Sequence, residues 1–198
     1  MLRVGVTGGI GSGKSTASKI LEKAGCYIFQ ADKEAKLLID KNIQVQNELI
    51  SEFGTDILGA RNTIDKKKLG RIAFQDEDHQ SRLNIVIHPF VFDKIDSVYR
   101  KIEKENSFPL FVVDGAMIFE SGYDQHLDYV IIITAQLKTR LSRAMSRRTL
   151  SRDEILKRID LQWSEEEKTG MADFIVYNET TEKDLNNNIM ARSEEHTS

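Results

Sequence analysis

The stretch Gly8-Gly9-Ile10-Gly11-Ser12-Gly13-Lys14-Ser15 constrains this chain more than any other. It has the form G-x-x-x-x-G-K-[ST], with Gly8, Gly13, Lys14 and Ser15 in the fixed places. Glycines let successive backbone N–H groups turn inward around a phosphate chain. The lysine brings a mobile positive charge to the β/γ-phosphates, and the serine hydroxyl suits Mg²⁺. A pattern this short also arises by chance, so its flanks decide. Leu2 to Val6 reads as a short buried strand just before it. Thr16 to Ala24 follows, with Ala17, Ile20, Leu21 and Ala24 on one helical stripe. Strand, glycine loop and helix is the order that phosphate binding requires. The alternative is a glycine-rich turn with a lysine nearby. The expected nucleotide contacts are Gly9, Ile10, Gly11, Ser12, Gly13, Lys14, Ser15 and Thr16, with Ser15 on the metal.

The bulk properties set limits. A chain of 198 residues with 40% hydrophobic and 30% charged content suits one globular unit with small insertions. A net charge of −3 gives no general basic character, so no nucleic-acid partner is expected and phosphate binding must come from local patches. The single cysteine, Cys26, excludes an intramolecular disulfide and a Cys-based zinc site. Its apolar surroundings suggest a buried structural thiol. No apolar run reaches the ~18 residues of a membrane span, and no signal pattern precedes the glycine loop. The default expectation is a cytoplasmic enzyme, monomeric or weakly self-associating, with no membrane partner.

Five short apolar runs recur between helical stretches: Leu2–Val6, Tyr27–Gln30, Leu110–Asp114, Tyr129–Thr134 and Phe174–Tyr177. The alternation predicts an α/β fold whose parallel five-stranded sheet is covered on both faces. The first run is the candidate central strand, because ligands bind at the carboxyl ends of strands in open sheets.

From Ala31 to Ser107 the strand signal disappears. Ile43, Leu49, Ile50 and Phe53, then Leu69, Ile72, Ala73 and Phe74, form apolar stripes, and Phe53-Gly54 and Leu58-Gly59 look like helix ends. Ile85 to Lys104 reads as a further helix, preceded or interrupted at His88-Pro89. The expected organisation is a core of residues 1–41, 107–138 and 171–191, a helical insertion at 42–106, and a second helical piece at 139–170. Residues 192–198 continue no periodic pattern and read like a translated sequencing adapter, so they are expected to be a non-native tail.

Phosphoryl transfer needs a phosphate cradle, a metal, a group to take the acceptor's proton, and cations to spread charge. Asp114 ends a buried strand beside the loop and suits a metal role; otherwise it is a strand-ending turn residue before Gly115. Asp32 follows the second strand and suits deprotonation of an acceptor hydroxyl. It equally suits a helix N-cap. Arg143 and Arg147 share a helical face and suit phosphate oxygens, unless that face is simply solvated. His88 before proline reads as a structural turn residue, and His79 and His126 as surface residues.

In this order and spacing the pieces resemble the dephospho-coenzyme A kinase family, from Val4 to about Asn178. Val6 to Ser15 is close to the family's loop. Ala31-Asp32 falls on the second half of its Asp-Ala-Asp motif, with Gln30 where the first aspartate is usual. Phe53-Gly54, Ile64-Asp65, Leu69 and Phe74 fit the start of its substrate region, and Leu83 with His88-Pro89 its His-Pro signature. Phe119-Glu120 falls on its Leu-Leu-Phe-Glu stretch. Arg143, Arg147, Arg158-Ile159 and Gln162 lie at its lid spacings, and Lys168, Ala172-Asp173 and Asn178 complete the similarity. Lys66 stands where arginine is common, and Gly115-Ala116-Met117-Ile118 replaces a Pro-Leu-Leu style sequence.

The resemblance implies a P-loop kinase core of three layers that uses ATP and Mg²⁺, with 42–106 as a helical substrate-binding insertion and 139–170 as a helical lid. The implied reaction passes the γ-phosphoryl group to the 3′-hydroxyl of dephospho-coenzyme A. It implies Asp32, Lys14, Arg143 and Arg147 as catalytic residues. Asp32, Lys66, Leu69, His88, Pro89 and Glu120 would meet the acceptor, Arg147 also ATP, and Ser15 and Asp114 the metal. The alternatives are a P-loop kinase of another small acceptor, such as a nucleoside monophosphate or sugar, and a non-catalytic nucleotide switch.

Overall fold

The computed structural model describes residues 1–194, with side chains through Ala191. The chain forms two compact units: Met1–Gln30 with the chain from Tyr99 onward, and Ala31–Val98.

In the first unit, β1 (Leu2–Thr7), β2 (Tyr27–Gln30), β3 (Leu110–Asp114), β4 (Tyr129–Thr134) and β5 (Phe174–Tyr177) form one sheet. All four pairings are parallel, in the order β2-β3-β1-β4-β5. The central strand is β1, as the position of the glycine loop predicted. Val6 lies opposite Asp114, and Asp114 opposite Gln30, so the ends of β2 and β3 share one row with the penultimate residue of β1.

Both faces of this sheet are covered, which is why its strands are apolar runs rather than alternating ones. On one face α1 (Lys14–Lys23) and α9 (Glu182–Glu194) pack against it. Ile20 and Leu21 of α1 and Leu185 and Ile189 of α9 join Val6, Val112, Ile133 and Val176 in one core. On the other face Tyr99 meets Phe111 edge-on, with ring centroids 5.3 Å apart. Ile118, Phe119 and Val130 form a second cluster. Cys26 is buried and free, and its burial pushes the thiol pKa up, as suits an inert packing residue.

The same unit carries α6 (Leu137–Ser146), α7 (Arg152–Asp160) and α8 (Glu165–Met171). Ser151 with Glu154 and Ser164 with Glu167 close capping boxes at the starts of α7 and α8. The acidic run Glu165–Glu167 therefore opens a helix, where carboxylates favour the helix dipole.

The second unit is built from α2 (Ala31–Lys41), α3 (Ile43–Phe53), α4 (Lys66–Ala73) and the first part of α5 (Glu77–Glu105). The Asn42 and Asp65 side chains cap α3 and α4 by accepting two backbone N–H groups each. Val45, Leu49, Ile57, Leu69 and Ala73 are buried, whereas Ile43 is 66% exposed. The inward stripe of α3 thus runs through Val45 instead of Ile43. Gly54 ends α3 as expected, while Leu58 follows a short 3-10 turn at Thr55–Ile57.

His88-Pro89 does not start or break a helix: α5 runs through Pro89. Proline costs one helix hydrogen bond, at the carbonyl four residues earlier. That residue, Ile85, is exposed, while Val86, Ile87, Val91 and Ile95 are buried and hold both halves in register.

Helix α9 continues through Arg192–Glu194, so three of the seven residues expected as a tail are helical. No glycine or proline stands there to stop propagation. Residues 195–198 lie outside the described residues. Among the described residues, no helix is long and apolar enough to cross a membrane.

Candidate active site

The glycine loop connects the end of β1 to the start of α1. Gly13 caps α1 with φ 101°, and no side chain caps that end. The helix therefore presents first-turn amides and the positive end of its dipole, which suits an anion. Ser12 is fully buried, and its hydroxyl has no hydrogen-bond partner among the described residues. Asn178, just past β5, donates from Nδ2 to the Ser12 carbonyl at 2.8 Å. A Cβ on Gly13 would overlap that amide, so glycine is required there twice over.

Lys14 opens α1 and forms an ion pair with Asp114, the last residue of β3. Asp114 is 5% exposed, and its second oxygen accepts the Ser18 hydroxyl at 2.7 Å. Both charges thus have partners, the condition for burying them. Ser15 is exposed, one residue further into α1. Sequence reasoning missed Ser18. Its signal is the spacing of four from Lys14, which puts both on one helix face.

Arg140, Arg143 and Arg147 fall at helical spacing along α6 and its C-cap. Arg143 donates from Nη1 to the Asn178 carbonyl at 2.8 Å. Arg147 is exposed. The arginine nearest the loop is Arg140, at 4% exposure. It lies 3.1 Å from Glu165 and donates from Nε to the Ile10 carbonyl at 3.2 Å. Sequence reasoning did not single out Arg140. Its place one turn before Arg143 was the available signal.

Glu120 is held by Lys168. The Lys168 ammonium is fully buried, 2.6 Å from Glu120 Oε1 and 3.1 Å from the Ala116 carbonyl. Glu120 Oε1 also accepts the Trp163 N–H at 3.2 Å. Its Oε2 is buried without a partner. The loop after β3 is thereby fastened to α8.

The other expected residues lie in the helical unit. Asp32 is exposed in the first turn of α2, two residues beyond Gln30 at the carboxyl end of β2. Lys66 is exposed and pairs with Asp40 at 2.8 Å. Leu69 is buried at 3% exposure, and Pro89 is exposed. His88 stacks on Phe92, with centroids 5.8 Å apart. Desolvation lowers its pKa to about 4, so its ring is neutral at neutral pH. Asp76, Asp78 and His79 also converge. There Asp76 accepts the backbone and ring N–H groups of His79, as a helix cap does.

A glycine loop leading from the central strand of a parallel sheet to an uncapped helix, with lysine and a strand-end aspartate meeting there, defines a P-loop nucleotide-binding protein. The chain belongs to the dephospho-CoA kinase family: the family model described as Dephospho-CoA kinase (CoaE) matches residues 2–184. It is 36% identical over 182 residues to a dephospho-CoA kinase from Fusobacterium nucleatum, covering 92% of each chain. Among solved structures, it is similar to the dephospho-CoA kinase from Campylobacter jejuni at 32% identity and TM-score 0.68, covering 98% of this chain and 96% of that one. It is also similar to the protein TT1252 from Thermus thermophilus at 29% identity and TM-score 0.80, covering 100% and 98%.

Proposed function

We propose that this protein transfers the γ-phosphoryl group of ATP to the 3′-hydroxyl of dephospho-coenzyme A, giving coenzyme A and ADP. The observation that carries the reading is the family match over residues 2–184, which takes in the glycine loop, Asp32, Glu120 and Asn178 together.

In this reading the loop from Gly9 to Thr16 wraps the triphosphate, and Lys14 balances charge developing on the β/γ-phosphates. Asp32 accepts the proton of the attacking hydroxyl. Asp32 is exposed to solvent. Arg143 and Arg147 spread charge over the transferring group, Arg147 also meeting ATP. Lys66, Leu69, His88, Pro89 and Glu120 belong to the acceptor side. The inserted helices at 42–106 supply area for a large acceptor. The segment 139–170 acts as the lid that keeps competing water out.

The oxygen donors Ser15 and Asp114 suit a hard cation such as Mg²⁺. When bound there, the ion neutralises phosphate charge. The same reading places the enzyme in the cytoplasm.

The test is mass detection of coenzyme A after mixing the protein with ATP, Mg²⁺ and dephospho-coenzyme A. A panel of mononucleotides and sugars runs beside it. Faster turnover of a mononucleotide than of dephospho-coenzyme A would overturn the proposed acceptor.

A further inference from the structure

Two side chains with no assigned part in the reaction grip the glycine loop from outside. Arg140 on α6 and Glu165 at the start of α8 form an ion pair, with 3.1 Å between Nη1 and Oε1. Arg140 Nε–H donates to the Ile10 carbonyl at 3.2 Å. Glu165 Oε1 accepts the Gly9 N–H at 3.1 Å, and its Oε2 accepts the Thr134 hydroxyl at 2.5 Å. Two peptide groups of the loop, one on each side of the Gly9–Ile10 bond, are therefore each held by one member of the pair. The two side chains are 5% and 23% exposed, so water competes weakly for the arginine's bonds.

Packing supports the hydrogen bonds. A Cβ on Gly9 would overlap both the Arg140 guanidinium and the Glu165 carboxylate. A Cβ on Gly11 would overlap the Arg140 backbone carbonyl, and Gly11 also needs its φ of +80°. These glycines let Arg140 and Glu165 close on the loop. A glycine-rich loop has many conformations, and ordering it upon binding weakens affinity. Charge-assisted bonds that already hold one conformation reduce that cost.

We infer that Arg140 and Glu165 are positioning residues that pre-shape the glycine loop for nucleotide. They act through the Ile10 carbonyl and the Gly9 amide, not by touching the ligand. The inference rests on the reading of this loop as the ATP site. Its consequence is selective: losing the grip weakens nucleotide binding and spares the acceptor.

The test compares the full chain with Glu165→Ala and Glu165→Gln. ADP affinity is measured by calorimetry, and kinetics are run with each substrate varied in turn. Glu165→Ala is expected to weaken ADP binding and raise the KM for ATP about tenfold, the scale of one lost charge-assisted bond. Its kcat stays within about twofold, and its KM for dephospho-coenzyme A is unchanged. Glu165→Gln keeps an acceptor for the Gly9 N–H and recovers most of the affinity. ADP affinity of Glu165→Ala equal to that of the parent would overturn the inference. So would a parallel rise in both KM values with a lower Tm. If Glu165→Ala does not fold, Arg140→Lys keeps the charge and drops the Ile10 bond. Weaker ADP binding then upholds the inference and equal binding overturns it. A parent that binds ADP but leaves dephospho-coenzyme A unmodified refutes the proposed acceptor while leaving the ADP comparison intact.

Discussion

The Lys14 ammonium is ion-paired with the Asp114 carboxylate, joining the start of α1 to the end of β3. Ser18 donates to the other carboxylate oxygen at 2.7 Å. One buried carboxylate thus orients both the lysine and the first turns of the helix that receives phosphate.

Replacing this lysine removes the mobile positive charge of the loop. Lys14→Ala is expected to lower the turnover of dephospho-coenzyme A by at least about 10²-fold, the scale for losing one donor to developing charge. ADP release in a coupled assay measures it. Parent-like turnover would show that the loop does not serve phosphoryl transfer.

Asp32 separates catalysis from binding. Asp32→Asn is expected to lose ~10²–10⁴ in turnover while ADP affinity stays. Because Asp32 lies in the first turn of α2, losing its charge should cost no more than about 1 kcal/mol of stability. A fully active Asp32→Asn enzyme would mean that another group takes the proton.

The Lys168–Glu120 pair is buried on both sides, with 0% and 6% side-chain exposure. Lys168→Met leaves an uncompensated carboxylate in the interior. Removing one member of such a pair costs about 3–5 kcal/mol, readable in urea unfolding. Adding Glu120→Gln should return part of that loss. An unshifted unfolding midpoint for Lys168→Met would refute the account.

His88 gives acid sensitivity. Its pKa is pushed down from the ordinary 6.5 to about 4 in the folded chain, because burial disfavours the imidazolium. Between those values the unfolded chain holds a proton that the folded chain lacks. Stability is therefore fully present above pH 6.5 and falls as pH drops toward 4, by at most about 3 kcal/mol. An imidazole NMR titration should show a midpoint near 4, and His88→Phe should flatten the acid limb. A midpoint near 6.5 would contradict the burial argument.

Much of the core was legible from short stretches of chain. The bounds of β2, β3, β4 and β5 follow the four apolar runs read beforehand, and β1 extends one residue further, to Thr7. Strands covered on both faces are apolar throughout, so each announces itself locally. The glycine loop was legible for a similar reason, since its residue types carry the required backbone geometry. Pro89 misled because the local preference against helix before proline was overridden by the buried residues on either side. Ile43 misled because periodicity offers two neighbouring stripes and only packing selects one.

The contacts that shape the loop join residues far apart in the chain. Arg140 reaches Ile10 across 130 positions, and Asn178 reaches Ser12 across 166. Glu120 Oε1 is held by Lys168 across 48 positions and by the Trp163 N–H across 43. Secondary structure, the glycine loop and the phosphate chemistry depend on neighbours in the chain, so the order of residues was enough to read them. Which arginine is buried, which carboxylate faces the loop and which lysine is paired depend on the strand order β2-β3-β1-β4-β5. That order brings together groups whose spacing along the chain carries no trace of their meeting.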